Sequence, residues 1–302
     1  MARGQKSFIF LALLSGLRDM GSQEIKFVYL NGELVPKAEA KVNCFDEGVT
    51  HGWAVYEGIR VYDGKILKLD EHIDRFYDSA KAAYIDIPMS KEEVKEAVIE
   101  TVKANGFREA HIRPWVSYGE MGGSPNFFIQ ARYAKTRMGE TARAIVSAVR
   151  RTACDSIDAK IKTSSRLDIC LASVEARRGR VECAIMLDKD GFMADVAPGA
   201  SVFLVKNGVV YTPFTTNCLE SITRALLMEL LEEDGYRVEE KNMTFKDIYS
   251  ADEIFMCGTG AEIKPIVEVD GRAIGNGNAG PVVKRAIKLY REYIDRKAVP
   301  IY

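Results

Sequence analysis

Histidine is scarce in this 302-residue chain, and most patterns that would decide a function at a glance are missing. The three histidines, His51, His72 and His111, lie far apart without His-x-x-x-His spacing, so no zinc centre is expected. The six cysteines (Cys44, Cys154, Cys170, Cys183, Cys218 and Cys257) form no Cys-x-x-Cys pair and read as reduced, mostly buried thiols of a cytosolic, cytoplasmic protein. No Gly-x-Ser-x-Gly elbow is present, which argues against a hydrolase of that type. A net charge of −1 gives no field favouring nucleic acid or an anionic membrane. The chain has no 20–50-residue repeat and no low-complexity tract. The apolar run from Phe8 to Leu14 follows Arg3 and Lys6 like the start of a signal peptide. It is too short to span a bilayer and lacks a convincing small-x-small cleavage site, so residues 1–22 are expected to be an N-terminal extension of unclear role.

What is present is an ordinary globular composition, 47% hydrophobic and 28% charged, over a length that allows two modest domains. Asn31-Gly32 between two apolar stretches predicts a hairpin. A strand is expected from Ala54 to Tyr62, then an Asp63-Gly64 turn and a strand from Lys65 to Leu69. A helix is expected over 70–85 with Asp70 as N-cap, burying Ile73, Phe76, Tyr77 and Ala80. Ser90-Lys91-Glu92-Glu93 is a capping box for a second helix that Gly106 ends. Strands follow over 111–117 and 127–133, and the polar residues 135–141 suggest a boundary. In the second half, strands are expected over 144–149, over a further short stretch ending near Lys162, and over 183–187, 191–193 and 201–206. Helices are expected from a Ser164 or Ser165 cap through Arg178, over 220–233 and over 282–296. This is an α+β pattern, divided into a small α/β domain at 23–136 and a larger domain at 137–302.

Gly275-Asn-Gly-Asn-Ala-Gly280 matches Gly-x-Gly-x-x-Gly, but only 22 residues follow it. A dinucleotide-binding fingerprint opens a long strand–helix–strand unit, so a loop with Pro281 at the first helical position is the better reading. The more informative turn is Cys257-Gly258-Thr259-Gly260-Ala261-Glu262, directly after the apolar run from Ile254 to Met256. Its small residues let backbone N–H groups and one hydroxyl approach a phosphate or carboxylate.

Taken with that turn, several motifs in order resemble a fold-type IV (class IV) aminotransferase using pyridoxal 5′-phosphate, closest to the branched-chain amino acid aminotransferases. They are Tyr56-Glu57-Gly58-Ile59-Arg60, Leu69 to Ala80, Ile112-Arg113-Pro114, Gly119-Glu120-Met121-Gly122, Ile222-Thr223-Arg224, Ala251 to Phe255 and Val269 to Gly277. The resemblance implies two α/β domains with the cofactor between them, the larger one holding it, and a homodimer or larger homo-oligomer. It implies that the lysine linked to the cofactor and shuttling the substrate proton is Lys162, with Lys160, on the same expected strand face, as its competitor. Arg75 becomes the phosphate arginine, joined by donors from Ile222, Thr223 and Thr259. Without the resemblance Arg75 would be a surface ion pair with Asp74 or Asp78.

Asp195 stands where the family has a Glu against the pyridine nitrogen, and the family's following Gly and Asn are absent. Arg166 takes the place of a Tyr at the cofactor's ring oxygen, and His51 and His111 replace two Tyr near the substrate. Tyr56 and the loop around Met121 would line the side-chain pocket, with Gly260 at the substrate carboxylate. His111 and Arg113 read equally as a cationic carboxylate trap or as a satisfied interior pair. The implied function is transfer of an amino group from Leu, Ile or Val to a 2-oxo acid such as 2-oxoglutarate. The altered residues keep a D-amino acid or (R)-amine transaminase open, and more distantly a non-catalytic relative. Partners are then small amino and 2-oxo acids, with neither nucleic acid nor membrane.

Overall fold

Asn31 and Gly32 both take positive φ, 50° and 107°, the conformation of a type I′ turn. They join β1 (Phe27–Leu30) to β2 (Glu33–Pro36) as the sequence predicts. The computed structural model describes residues 24–302, so the extension read over 1–22 lies outside the described residues. After a short helix α1 (Glu47–Thr50), the apolar stretch from Ala54 is not one strand. It divides into β3 (Ala54–Tyr56) and β4 (Ile59–Tyr62), because the Glu57 carboxylate turns inward to buried partners. Following β5 (Lys65–Leu67), α2 (Leu69–Ala82) starts from Lys68, in the left-handed region at φ 54°, and not from an Asp70 cap. Asp70 lies inside the first turn, where its charge suits the helix dipole, and pairs with Lys95 at 2.6 Å. Helix α3 (Lys91–Asn105) begins at the predicted Ser90/Glu93 capping box and ends at Gly106 with φ 67°. Strands β6 (Ala110–Ser117) and β7 (Phe127–Tyr133) complete this part.

The second half opens with β8 (Ala142–Val146), shorter at its end than the sequence suggests. No strand leads to Lys162. Its backbone bonds to the first half instead: Lys162 N donates to Ser79 Oγ (3.2 Å), and its carbonyl accepts from Tyr56 N (3.0 Å). Helix α4 (Leu167–Arg178) has Arg166 at its N-cap, since the expected caps are engaged elsewhere: Ser164 Oγ accepts from Trp115 Nε1 and Ser165 Oγ donates to Gly52 O. Next come β9 (Cys183–Leu187) and β10 (Met193–Ala197). The strand expected over 191–193 begins only at Met193, because Asp188 holds the Phe192 N–H inside the turn at 2.9 Å. The remaining elements are β11 (Ser201–Lys206), β12 (Val209–Thr212), α5 (Ile222–Glu233), β13 (Arg237–Glu240), α6 (Phe245–Tyr249), β14 (Glu253–Gly258), β15 (Glu262–Val269), β16 (Arg272–Ala273), α7 (Pro281–Lys297) and β17 (Val299–Pro300).

Two sheets result. The first runs β17-β5-β4-β6-β7-β1-β2, with β3 also on β6, and all its pairs are antiparallel. The second runs β10-β9-β8-β15-β14-β11-β12-β13, with β16 on β15 and parallel pairs at β8/β9, β8/β15 and β12/β13. Ile73, Phe76, Val94, Val98 and Val102 of α2 and α3 bury against the first sheet. Leu227, Leu231, Val283 and Tyr290 of α5 and α7 do so around Phe203 and Phe255 of the second. The fold is α+β, and the catalytic-site candidates face the space between the sheets.

The glycine-rich loop before α7 holds an anion of the protein's own. The buried Glu253 carboxylate accepts from Val282 N (3.0 Å) and Val283 N (2.9 Å), the position a dinucleotide phosphate would need. A Cβ on Gly280 would sit 2.1 Å from Glu253 Cδ. Gly280→Ala is therefore expected to expel that carboxylate and to cost about 2–3 kcal/mol. Denaturant titration checks it, and an unchanged midpoint would contradict it.

Candidate active site

A cavity of about 800 Å³ opens between the sheets, lined by Tyr56, His111 and Arg113 on one side and by Lys162, Arg166, Asp195 and the 258–261 turn on the other. Lys162 Nζ lies 5.0 Å from the centre of the Tyr56 ring. Burial lowers its amine to about 7, with Arg75 and Arg166 adding to the effect and Glu57 and Asp195 opposing it. An amine in this state is partly neutral at physiological pH and can act as nucleophile or base.

An anion-binding corner adjoins it. Arg75 donates from Nε to Glu57 Oε1 (2.7 Å), from Nη2 to Glu57 Oε2 (2.9 Å) and from Nη1 to Glu220 O (2.7 Å). It does not pair with Asp74, which is taken by Lys91. Glu57 is fully buried and also accepts from Gly58 N and from His72 Nδ1 at 2.8 Å. Burial alone would raise its carboxyl, but Arg75 and His72 outweigh this and hold it well below the usual range. At the start of α5, Ser221 Oγ caps only Arg224 N. The N–H groups of Ile222 and Thr223 have no carbonyl within their own helix. Ile222, Thr223, His72 and Thr259 converge on a small void beside the main cavity.

Asp195 lies just after a register shift in β10, an irregularity of the kind that re-aims side chains. Its Oδ1 accepts from Val196 N (3.0 Å), and its Oδ2 is 3.5 Å from Arg151 Nε. Burial raises the Asp195 carboxyl, opposed chiefly by Arg151. Arg151 is itself held by Asp168.

Tyr56 is the centre of the remaining wall. The Arg113 guanidinium stacks 4.8 Å from its ring centre, and Arg166 Nη1 hydrogen-bonds its hydroxyl while Nη2 donates to Pro198 O (3.0 Å). His111 sits between two glycines: a Cβ at Gly58 would be 3.0 Å from its Nε2, and one at Gly260 3.7 Å. Burial, followed by Arg113, lowers His111 to about 4, so it serves as a neutral group and only Arg113 brings charge. The 259–261 turn is anchored by Glu262, buried at φ 58°, whose Oε2 accepts from Arg137 N (2.6 Å) and whose Oε1 faces Arg60 Nη2 at 3.6 Å.

Other candidates fall outside. Lys160 is not beside Lys162 on a strand; it is an exposed turn residue paired with Glu220 at 2.7 Å. His51 is an exposed partner of Glu47 (2.5 Å), and Met121 is 68% exposed; neither lines the cavity. Sequence reasoning missed Glu57, His72 and Arg151 as site supports. The first two lie inside motifs already singled out, whereas nothing local marks Arg151. Among the described residues no cluster of three metal-ligating side chains occurs and no helix is long and apolar enough to cross a membrane.

Residues 54–269 match the amino-transferase class IV family. A protein of Methanocaldococcus jannaschii is 40% identical over 91% of this chain and 99% of its own length. The branched-chain-amino-acid aminotransferase of Pseudomonas aeruginosa is 36% identical over 89% of this chain and 93% of its own. The T.th. branched-chain amino acid aminotransferase, solved as a complex with N-(5′-phosphopyridoxyl)-L-glutamate, superposes with a TM-score of 0.86. It is 32% identical and covers 91% of this chain and 95% of its own.

Proposed function

Since this chain belongs to the class IV aminotransferase family, we propose that it is a pyridoxal 5′-phosphate-dependent transaminase moving the amino group of a branched-chain L-amino acid to a 2-oxo acid such as 2-oxoglutarate. One observation carries the reading: a lysine amine lowered to about 7 shares a cavity with an arginine-and-helix anion corner and a buried carboxylate. That donor set fits the aldehyde, phosphate and ring nitrogen of the cofactor, and about 800 Å³ is ample for it with a substrate. When bound, the cofactor supplies the electron sink and carries the amino group between substrates.

The chain's own residues do the rest. Lys162 Nζ tethers the cofactor and holds or releases the substrate proton. Arg75, with the Ile222 and Thr223 N–H groups and Thr259, takes the phosphate. Asp195, steadied by Arg151, keeps the ring nitrogen protonated. Arg166 fixes the Tyr56 hydroxyl at the cavity wall, where it would meet the cofactor. Backbone N–H at Gly260 receives the substrate carboxylate, Tyr56 and His111 shape the side-chain wall, and Arg113 meets the distal carboxylate of the 2-oxo acid.

A second copy of the chain completes this reading. Phe45, Val49 and Met121 are 68%, 57% and 68% exposed. Their two segments meet in the backbone, where Glu47 N donates to Gly119 O at 2.9 Å. Such an apolar cluster suits a homodimer, with Met121 lent to the partner's site. The unpaired cysteines support a cytoplasmic setting, although they are not mostly buried as expected: Cys44 and Cys154 lie in turns and Cys170 on an outer helix face, and these are exposed.

Cofactor-loaded protein titrated with L-leucine tests the reading through its visible absorption. Loss of the visible band is expected. A yellow protein indifferent to L-leucine but bleached by a D-amino acid or an (R)-amine would move the substrate class. A protein that never turns yellow would leave only the non-catalytic relative.

A further inference from the structure

We propose that Glu57 is a positioning residue for phosphate: it fixes the Arg75 guanidinium so that its remaining N–H groups meet the phosphate of the cofactor, an inference that rests on the cofactor reading above. The geometry is specific. Glu57 occupies the break between β3 and β4, is 0% exposed and accepts four hydrogen bonds, two of them side-on from Arg75. A carboxylate taken wholly out of water is tolerated only when so paired. Arg75 in turn has one edge locked by Glu57 and Nη1 locked by Glu220 O, one residue before the α5 cap.

Of the five N–H donors of a guanidinium, one on each Nη then remains for a ligand. Those two cannot swing away, because the plane of the fork is already set by Glu57. A free arginine would lose side-chain entropy on meeting phosphate; this one has lost it on folding. His72, buried on the same Oε2, keeps the carboxylate from rotating toward Arg75 on a single oxygen. The break in the strand thus has a use: it places an acid where a regular strand would place an outward side chain.

The test compares the dissociation constants of pyridoxal 5′-phosphate and of pyridoxal, which lacks the phosphate, by visible absorption on the full chain. In Glu57→Gln the preference for the phosphorylated compound is expected to fall about 10- to 100-fold, as for loss of one or two charge-assisted hydrogen bonds. Pyridoxal affinity, measured above about pH 8, is expected to stay within about threefold, because losing the Glu57 charge only lowers further an amine already at about 7 and leaves it neutral there. In an Arg75→Met background, Glu57→Gln should then lower the preference no further. Should Glu57→Gln fail to fold, Glu57→Asp carries the same measurement, since it keeps the charge but withdraws it by one methylene. A folded variant with undiminished phosphate preference, or one losing both affinities alike, overturns the proposal. A native protein binding neither compound overturns the cofactor reading, and this inference with it.

Discussion

Lys162→Ala is expected to lower transamination about 10³-fold or more, while Lys160→Ala stays within about twofold. The two lysines are two residues apart and differ in everything that matters to chemistry. Lys160 keeps its charge in solvent against Glu220, with burial negligible and its amine raised by that partner. Lys162 is lowered to about 7 by burial inside the cavity. The sign gives a second readout. Below about pH 7 the Lys162 amine is protonated and cannot attack an aldehyde; above it the free amine predominates. The rate of cofactor loading should therefore rise through about pH 7 and level off beyond it. An unperturbed lysine would keep climbing toward about pH 10.4. A loading rate still rising steeply at about pH 9, well past the lowered value, or full activity in Lys162→Ala, would refute the assignment.

Asp195→Asn is expected to leave cofactor bound and to reduce turnover about 10²- to 10³-fold, the range for losing one preorganised electrostatic partner. Charge decides the effect. Burial disfavours the ionised carboxyl, and Arg151 at 3.5 Å, itself braced by Asp168, is what counters it. An amide cannot hold a proton on a ring nitrogen. Equal loading with collapsed turnover is the expected pattern, and unchanged turnover would remove Asp195 from the site. The shortened side chain relative to the family's Glu is compatible with this, given the register shift at Met193/Asp195 that sets its aim.

The same residues show what a one-dimensional reading can and cannot see. Local chemistry is legible: Asn31-Gly32 turns, Ser90 and Glu93 cap, Gly106 stops a helix, and Phe127–Tyr133 pairs as a strand. Motif order leads to Lys162, Arg75, Asp195 and the Thr259 turn, all four of which line one cavity. What escapes depends on partners distant in sequence. Residues 54–62 are apolar enough for one strand, and only the pairing of Glu57 with His72 and Arg75, 15 and 18 residues on, explains the break. The flanks of Lys162 look extended and so suggest a strand. In the fold its backbone is held by Ser79 and Tyr56, contacts that no periodicity encodes. Ser164 and Ser165 look like helix caps because hydroxyls usually serve there, but Trp115 and Gly52 have prior claim on them.

The last strand of the chain gives the two sheets an uneven inheritance. Helix α7 packs on the second sheet, yet Val299–Pro300 return to pair with β5 of the first. There Ile301 N bonds Gly64 O (3.0 Å) and the Tyr302 hydroxyl bonds Phe107 O (2.9 Å). A chain severed between 134 and 141 would thus divide into one piece missing an edge strand of its own sheet and another carrying it. The edge of the first sheet is therefore closed by the end of the chain, and the two halves are tied at both the start and the finish of the second.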